Sequence, residues 1–258
     1  MKAMIFAAGL GTRLRPITDT MPKALVPVCG EPLLAHVIRK LRDAGYEELV
    51  VNVHHFPEQI RDYLDGHDFG IPVRISDESD RLLETGGAVA HARKLLQPLG
   101  EPFLLHNVDI VSNLDIAWFR AQTRPEALAT LLVSERDSRR RLLFDEGLRL
   151  VGWTDLATGE VRSPYRGLKV QNCFQYAFAG IHNLSPRIFE AFDAMSMPAR
   201  FPIIDFYLSA CARYRIYGAP AKDLTLTDVG KIECLADAER LCATLLAAPP
   251  SPSRADGR

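Results

Sequence analysis

The chain has 258 residues, 47% of them hydrophobic and 24% charged, and a net charge of −1. That length buries a sizeable globular core, and the even charge excludes a broad polyanion-binding surface, so nucleic acid is not an expected partner. No apolar run approaches the roughly 18 residues that cross a bilayer, no secretory signal precedes the first strand, and five scattered cysteines without a C-x-x-C pair fit reduced thiols in a cytoplasm rather than a zinc site.

Residues 3–8 form an apolar run that reads as a short buried strand. It ends at Gly9-Leu10-Gly11, and Thr12, Arg13, Arg15, Pro16, Pro22 and Lys23 follow. A buried strand that opens into a glycine-bearing, cationic loop is what a parallel sheet uses to hold phosphate. Small residues let backbone N–H groups approach the anion, and arginine offers a planar fork to its oxygens. The loop is not a P-loop, since Lys23 is not followed by Ser or Thr, and it fails the dinucleotide fingerprint because Leu14 stands at the third glycine position.

Glu31-Pro32 opens a predicted helix whose apolar positions run to Leu41 before Gly45 stops it. Residues 49–53 are a second strand, 57–64 a helix and 73–75 a third strand. His54-His55 point to opposite faces of a strand end and read as ordinary polar residues there. Gly86-Gly87 precede a predicted helix over 89–96. Residues 103–109 are a fourth strand, and Asp109 at its carboxyl end lies where open α/β sheets bind ligands. Alternation of strand and helix to about residue 124 implies βαβ units and a parallel sheet with the loops after strands one, three and four on one edge.

The alternation then breaks. Residues 127–133 are strand-like, Arg139-Arg140-Arg141 reads as a solvated basic run, and 142–144 with 148–153 form a hairpin turning at Glu146-Gly147. Residues 154–171 read equally as a mobile lid or acceptor loop and as an ordinary surface loop. A strand over 174–184, helices over 186–195 and 201–214, a strand over 214–217 and a helix to 246 complete the pattern. Asp205 reads as a helix-surface acid. Residues 249–258 have the composition of a disordered tail.

The segment Ala7-Ala8-Gly9-Leu10-Gly11-Thr12-Arg13-Leu14-Arg15-Pro16-Ile17-Thr18, followed by Pro22-Lys23-Ala24-Leu25, resembles the signature of the sugar-1-phosphate nucleotidyltransferases. Leu83-Glu84-Thr85-Gly86-Gly87, Asn107-Val108-Asp109 and Asp228-Val229-Gly230 match further family segments, although Val108 replaces a usual glycine and Lys231 a usual threonine. The resemblance covers residues 1–246 and is strongest to the compact N-acetylmuramate-1-phosphate uridylyltransferases of cell-wall recycling, with mannose- and heptose-1-phosphate guanylyltransferases sharing most of it.

It implies an α/β fold: a Rossmann-like mixed, mainly parallel sheet with helices on both faces, plus a small β-rich acceptor-side subdomain. It implies one domain over 1–246, with a nucleotide-binding half (1–125), a sugar-binding half (126–230) and a closing helix (231–246). By the same resemblance Ala7, Ala8, Gly9, Gly11, Thr12, Arg13, Lys23, Gly86, Gly87 and Asn107 bind the nucleotide. Arg13, Lys23 and Asp109 are catalytic, and Asp109 and Asp228 hold a metal. Asn107 and Gly180 face the sugar. Glu160, Arg162 and Lys169 stand where relatives carry an acceptor-phosphate lysine, and the sequence does not decide which cation serves.

Two carboxylates without a cysteine or histidine cluster suit Mg2+. The implied reaction joins a nucleoside triphosphate (UTP or GTP) to a sugar 1-phosphate and releases pyrophosphate. The acceptor phosphate has a second pKa near ~6 and needs no general base, so catalysis is positioning and electrostatics. A non-catalytic nucleotide-sugar sensor is the competing reading, and a dinucleotide oxidoreductase is disfavoured by Leu14. Oligomeric state leaves no mark in the sequence.

Overall fold

The computed structural model describes residues 1–97 and 100–247; the expected tail over 249–258 lies outside them. In chain order the strands and helices are β1 (Lys2–Phe6), β2 (Pro27–Val28), β3 (Glu31–Pro32), α1 (Leu33–Asp43), β4 (Glu48–Val53), α2 (Pro57–Asp65), β5 (Val73–Asp77), α3 (Glu84–His91) and α4 (Arg93–Leu96). They continue with β6 (Phe103–Asn107), β7 (Ile110–Ser112), α5 (Ile116–Ala121), β8 (Ala129–Ser134), β9 (Arg140–Phe144), β10 (Leu150–Asp155), β11 (Val161–Arg162) and β12 (Phe174–Leu184). The last are α6 (Ile188–Ala194), α7 (Ile203–Ala210), β13 (Ile216–Pro220), β14 (Leu226–Asp228) and α8 (Leu235–Ala247).

The central sheet runs β13-β8-β12-β6-β1-β4-β5. All pairs are parallel except those of β12, which lies antiparallel to both β6 and β8. Because side chains alternate across a strand, β1 feeds two cores: Ala3 and Ile5 join α1, α2 and α8 on one face, while Met4 joins α3, α6 and α7 on the other. The first half of β12 also pairs with β9, which carries β10 and β11 as an antiparallel ribbon, the small β-rich part.

The structure departs from sequence expectation at three places that matter for the site. Cys29 and Gly30 both adopt left-handed φ (50° and 78°), the geometry of a tight hairpin turn, so Glu31-Pro32 is a short strand and α1 starts at Leu33. Helix α3 starts at Glu84, which puts Gly86 and Gly87 inside it rather than before it. Finally, β7 and β14 form a small antiparallel pair that three-residue strands are too short to announce by periodicity.

Candidate active site

The site begins where β1 ends. Gly11 takes a left-handed conformation (φ 62°), and a Cβ there would meet the Thr18 methyl at 2.8 Å and the Lys23 Cβ at 3.2 Å. Glycine therefore lets the loop fold onto Thr18, whose hydroxyl donates to the Gly11 carbonyl (2.8 Å). Among the described residues, the N–H groups of Ala8, Gly9, Leu10 and Gly11 have no protein acceptor, and successive free N–H groups around an αL residue make an anion-binding concavity. The Ala7 N–H is not part of it: it donates to Asn52 Oδ1 (2.8 Å). Ala7 still lines the cavity, but as an anchor of the loop rather than a phosphate ligand.

That anchor extends across three strands. Asn52 at the end of β4 donates through Nδ2 to Glu78 Oε1 (2.8 Å), and the backbone N–H of Glu78 returns to Val53 O (2.8 Å). Glu78 is buried, which raises its carboxyl pKa above the ordinary range, with the Asn52 hydrogen bond opposing the rise. Asn52 was not assigned a role from the sequence, although a polar residue inside the apolar run Leu49–Val53 is a legible signal. His54 Nδ1 lies 2.6 Å from the Glu78 carbonyl oxygen.

The β7–β14 register explains how two distant acids meet. Asp228 pairs with Ile110, the residue after Asp109, and the Val229 N–H donates to the Asp109 carbonyl (2.9 Å). The two carboxylates are close enough that Asp109 raises the Asp228 pKa, second only to desolvation, while Lys23 and Arg13 pull it down. Asp228 itself is exposed. Lys23, nearly buried, is ion-paired through Nζ with Asp109 Oδ2. Gly230 completes the corner: a Cβ there would lie 2.8 Å from Arg13 Nη2 and 2.9 Å from Asp228 Oδ1.

One cavity of about 460 Å3 is bounded by Ala7 to Arg13, Lys23, Asn52, Glu78, Glu84, Thr85, Asn107, Asp109 and Gly230, among others, and Asp228 stands just outside its lining, next to Gly230. Other expected site residues lie elsewhere. The N–H groups of Gly86 and Gly87 both donate to Phe201 O (2.9 and 3.2 Å). A Cβ on Gly86 would strike the Phe201 ring at 2.2 Å and one on Gly87 the Ala199 carbonyl oxygen at 2.4 Å. Their lack of a side chain lets α3 pack against residues 199–201. Gly180 (φ 74°) sits at the bulge of β12, and a Cβ there would meet Asn107 Nδ2 at 2.8 Å, so its close neighbour is the Asn107 amide.

The acceptor-side candidates do not reach the cavity. Arg162 Nη2 is paired with Asp205 Oδ1 (2.8 Å), and its Cζ lies 5.8 Å from the Trp153 ring centroid. Glu160 uses its carbonyl to accept from Asp155 N and Thr154 Oγ1 (both 3.0 Å) while its side chain is exposed, and Lys169 is exposed as well. Among the described residues no helix is long and apolar enough to cross a membrane.

Residues 2–141 match the family model described as nucleotidyl transferase. The N-acetylmuramate alpha-1-phosphate uridylyltransferase of Neisseria meningitidis is 33% identical over 244 residues, covering 93% of this chain and 98% of that protein. The mannose-1-phosphate guanylyltransferase catalytic subunit beta of Danio rerio is 34% identical over 152 residues, 57% of this chain and 42% of that one. In three dimensions the chain resembles HddC from Yersinia pseudotuberculosis complexed with GMP-PN, with a TM-score of 0.72 at 21% identity, covering 93% of this chain and 98% of that one.

Proposed function

The chain belongs to the nucleotidyl transferase family and is a sugar-1-phosphate nucleotidyltransferase, and we propose that it is a magnesium-dependent uridylyltransferase acting on an N-acetylmuramate-1-phosphate-like sugar. The observation that carries the proposal is the corner in which Asp109, Asp228, Lys23 and Arg13 meet beside the free N–H groups of residues 8–11. Uridine and the muramate-like sugar are supported by the near full-length likeness to the Neisseria uridylyltransferase.

The donor set fits the cation. Two carboxylates from Asp109 and Asp228 supply hard oxygens, and no third His, Cys, Asp or Glu joins them among the described residues. Mg2+ asks for one or two carboxylates and completes its octahedron with water and substrate oxygens, whereas a soft or all-protein site needs more. When bound there, the ion neutralises charge on the two phosphate-bearing substrates.

The chain's own residues do the rest. The loop N–H groups cradle the triphosphate without reorganising, because Thr18 and the Ala7–Asn52–Glu78 chain already hold the loop. Arg13, beside Asp228 at the corner of the site, offers its guanidinium to the leaving phosphates. Lys23, ion-paired with Asp109, places a positive charge at the centre of the site. The attacking phosphate oxygen is already anionic, so no residue is asked to take a proton. Removing one such charge costs about 10²–10³ in rate. We also place the enzyme in the cytoplasm, a reading supported by five unpaired cysteines.

Pyrophosphate release from a panel of triphosphates and sugar 1-phosphates tests this. The highest kcat/KM is expected with UTP and N-acetylmuramate 1-phosphate. Preference for GTP with mannose or heptose 1-phosphate moves the assignment to the guanylyltransferases, the second reading favoured by the Danio likeness. Nucleotide binding without turnover on any pair refutes catalysis and favours a sensor.

A further inference from the structure

Strand β8 runs parallel to β6, since both lie antiparallel to β12. The carboxyl end of β8 therefore opens on the same sheet edge as Asp109. Two residues beyond that end stands Arg136. Its Nη2 donates to the Phe178 carbonyl (2.9 Å), just before the register of β12 shifts. Its Nε is buried and has no acceptor among the described residues. An unsatisfied buried donor costs about 1–3 kcal/mol, and such groups in a native fold call for a functional reason.

The charge around Arg136 is also unbalanced. Arg141, whose side chain is only 14% exposed, opposes it from β9, and Asp228 is the carboxylate that answers it. Asp137, 3.8 Å from Arg141, is fully exposed and screened by solvent. Arg141 donates through Nε to the Ser138 carbonyl (3.0 Å), so Arg136 is left with one answering carboxylate, and that carboxylate is the one assigned to the cation. Partly buried cations of this kind need a counter-anion.

We propose that Arg136, supported by Arg141, binds the phosphate of the incoming sugar 1-phosphate. The proposal rests on the nucleotidyl-transfer reading and fills the position for which the sequence offered Arg162 and Lys169, the first of them committed to Asp205 and the second exposed. A guanidinium presents a planar fork that matches two phosphate oxygens, which an ammonium does not. The Phe178 carbonyl holds one edge of the fork, so the group is oriented before the substrate arrives.

The test compares full-length wild type with R136Q, R136K and R141Q. Steady-state pyrophosphate release gives KM for the sugar 1-phosphate, and calorimetry gives Kd for the nucleotide alone and for the sugar 1-phosphate alone. R136Q is expected to raise the acceptor KM and Kd at least about tenfold while the nucleotide Kd stays within about twofold, with R136K intermediate and R141Q weaker. An acceptor Kd in R136Q within twofold of wild type overturns the proposal, as does an equal loss of nucleotide affinity. If R136Q does not fold, R136K decides by the same criterion. Loss of sugar 1-phosphate binding in the variant upholds the proposal even where turnover is absent, whereas a wild type that binds no sugar 1-phosphate overturns both this assignment and the reaction.

Discussion

Replacing Gly230 by alanine tests whether the corner of the site works as a unit. The backbone there needs no left-handed conformation, so the change adds one methyl group and little backbone strain. That methyl would stand 2.8 Å from Arg13 Nη2 and 2.9 Å from Asp228 Oδ1. Ordinary contact begins near 3.4 Å, so each polar group must retreat by about 0.5–0.6 Å. Arg13 is the far end of a flexible side chain and gives way readily. Asp228 is held by its strand and gives way less. A misplacement approaching 1 Å costs up to about 10²-fold in rate, so kcat/KM should fall about 10- to 100-fold, or about 1.4–2.7 kcal/mol of barrier. Pyrophosphate release measures the loss, and the melting temperature should change by no more than a few degrees. A Gly230→Ala enzyme with wild-type kcat/KM would refute the claim that Arg13 and Asp228 must sit together.

Three further outcomes follow from the same contacts. Asp228→Asn should abolish turnover yet leave the fold slightly more stable at neutral pH: desolvation and Asp109 raise the Asp228 pKa, so its ionised form costs folding energy above that pKa, and the difference should shrink as pH falls through it; a less stable variant in thermal denaturation contradicts this. Asn52→Ala strands both the Ala7 N–H and the buried Glu78 carboxylate and should cost about 2–3 kcal/mol by urea denaturation, with a higher nucleotide KM; a loss below about 0.5 kcal/mol removes Asn52 from the loop's support. Gly86→Ala drives a methyl into Phe201 and should lower stability by about 1–3 kcal/mol, with partial recovery when Phe201→Leu is added; unchanged stability with a raised nucleotide KM would return Gly86 to the base.

What the sequence could and could not show follows from range. The loop after β1 is a local pattern, strand then glycine then cations, and its course is legible in the sequence, whereas the commitment of the Ala7 N–H to Asn52 is not. Asp109 was legible as an acid at the carboxyl end of a buried strand. Asp228 likewise reads as an acid ending a strand, but its meeting with Asp109 depends on the β7–β14 register, which neither three-residue strand reveals. The pair Gly86-Gly87 reads as preceding a helix because its packing partners, the Phe201 ring and the Ala199 carbonyl, lie more than a hundred residues on. Arg162 looked available because nothing nearby in sequence predicts Asp205 as its partner. Arg136 was hidden in a charged stretch that reads as solvated loop; partial burial and an unpaired Nε distinguish it, and composition carries neither.

The central claim is that Asp109 and Asp228 together grip a divalent cation beside the triphosphate. Electron paramagnetic resonance of Mn2+ titrated into the protein with a non-hydrolysable nucleotide measures that grip directly. One tightly bound ion is expected in the wild type, weakened at least about tenfold in both Asp109→Asn and Asp228→Asn. Equal Mn2+ affinity in wild type and in either variant would contradict it.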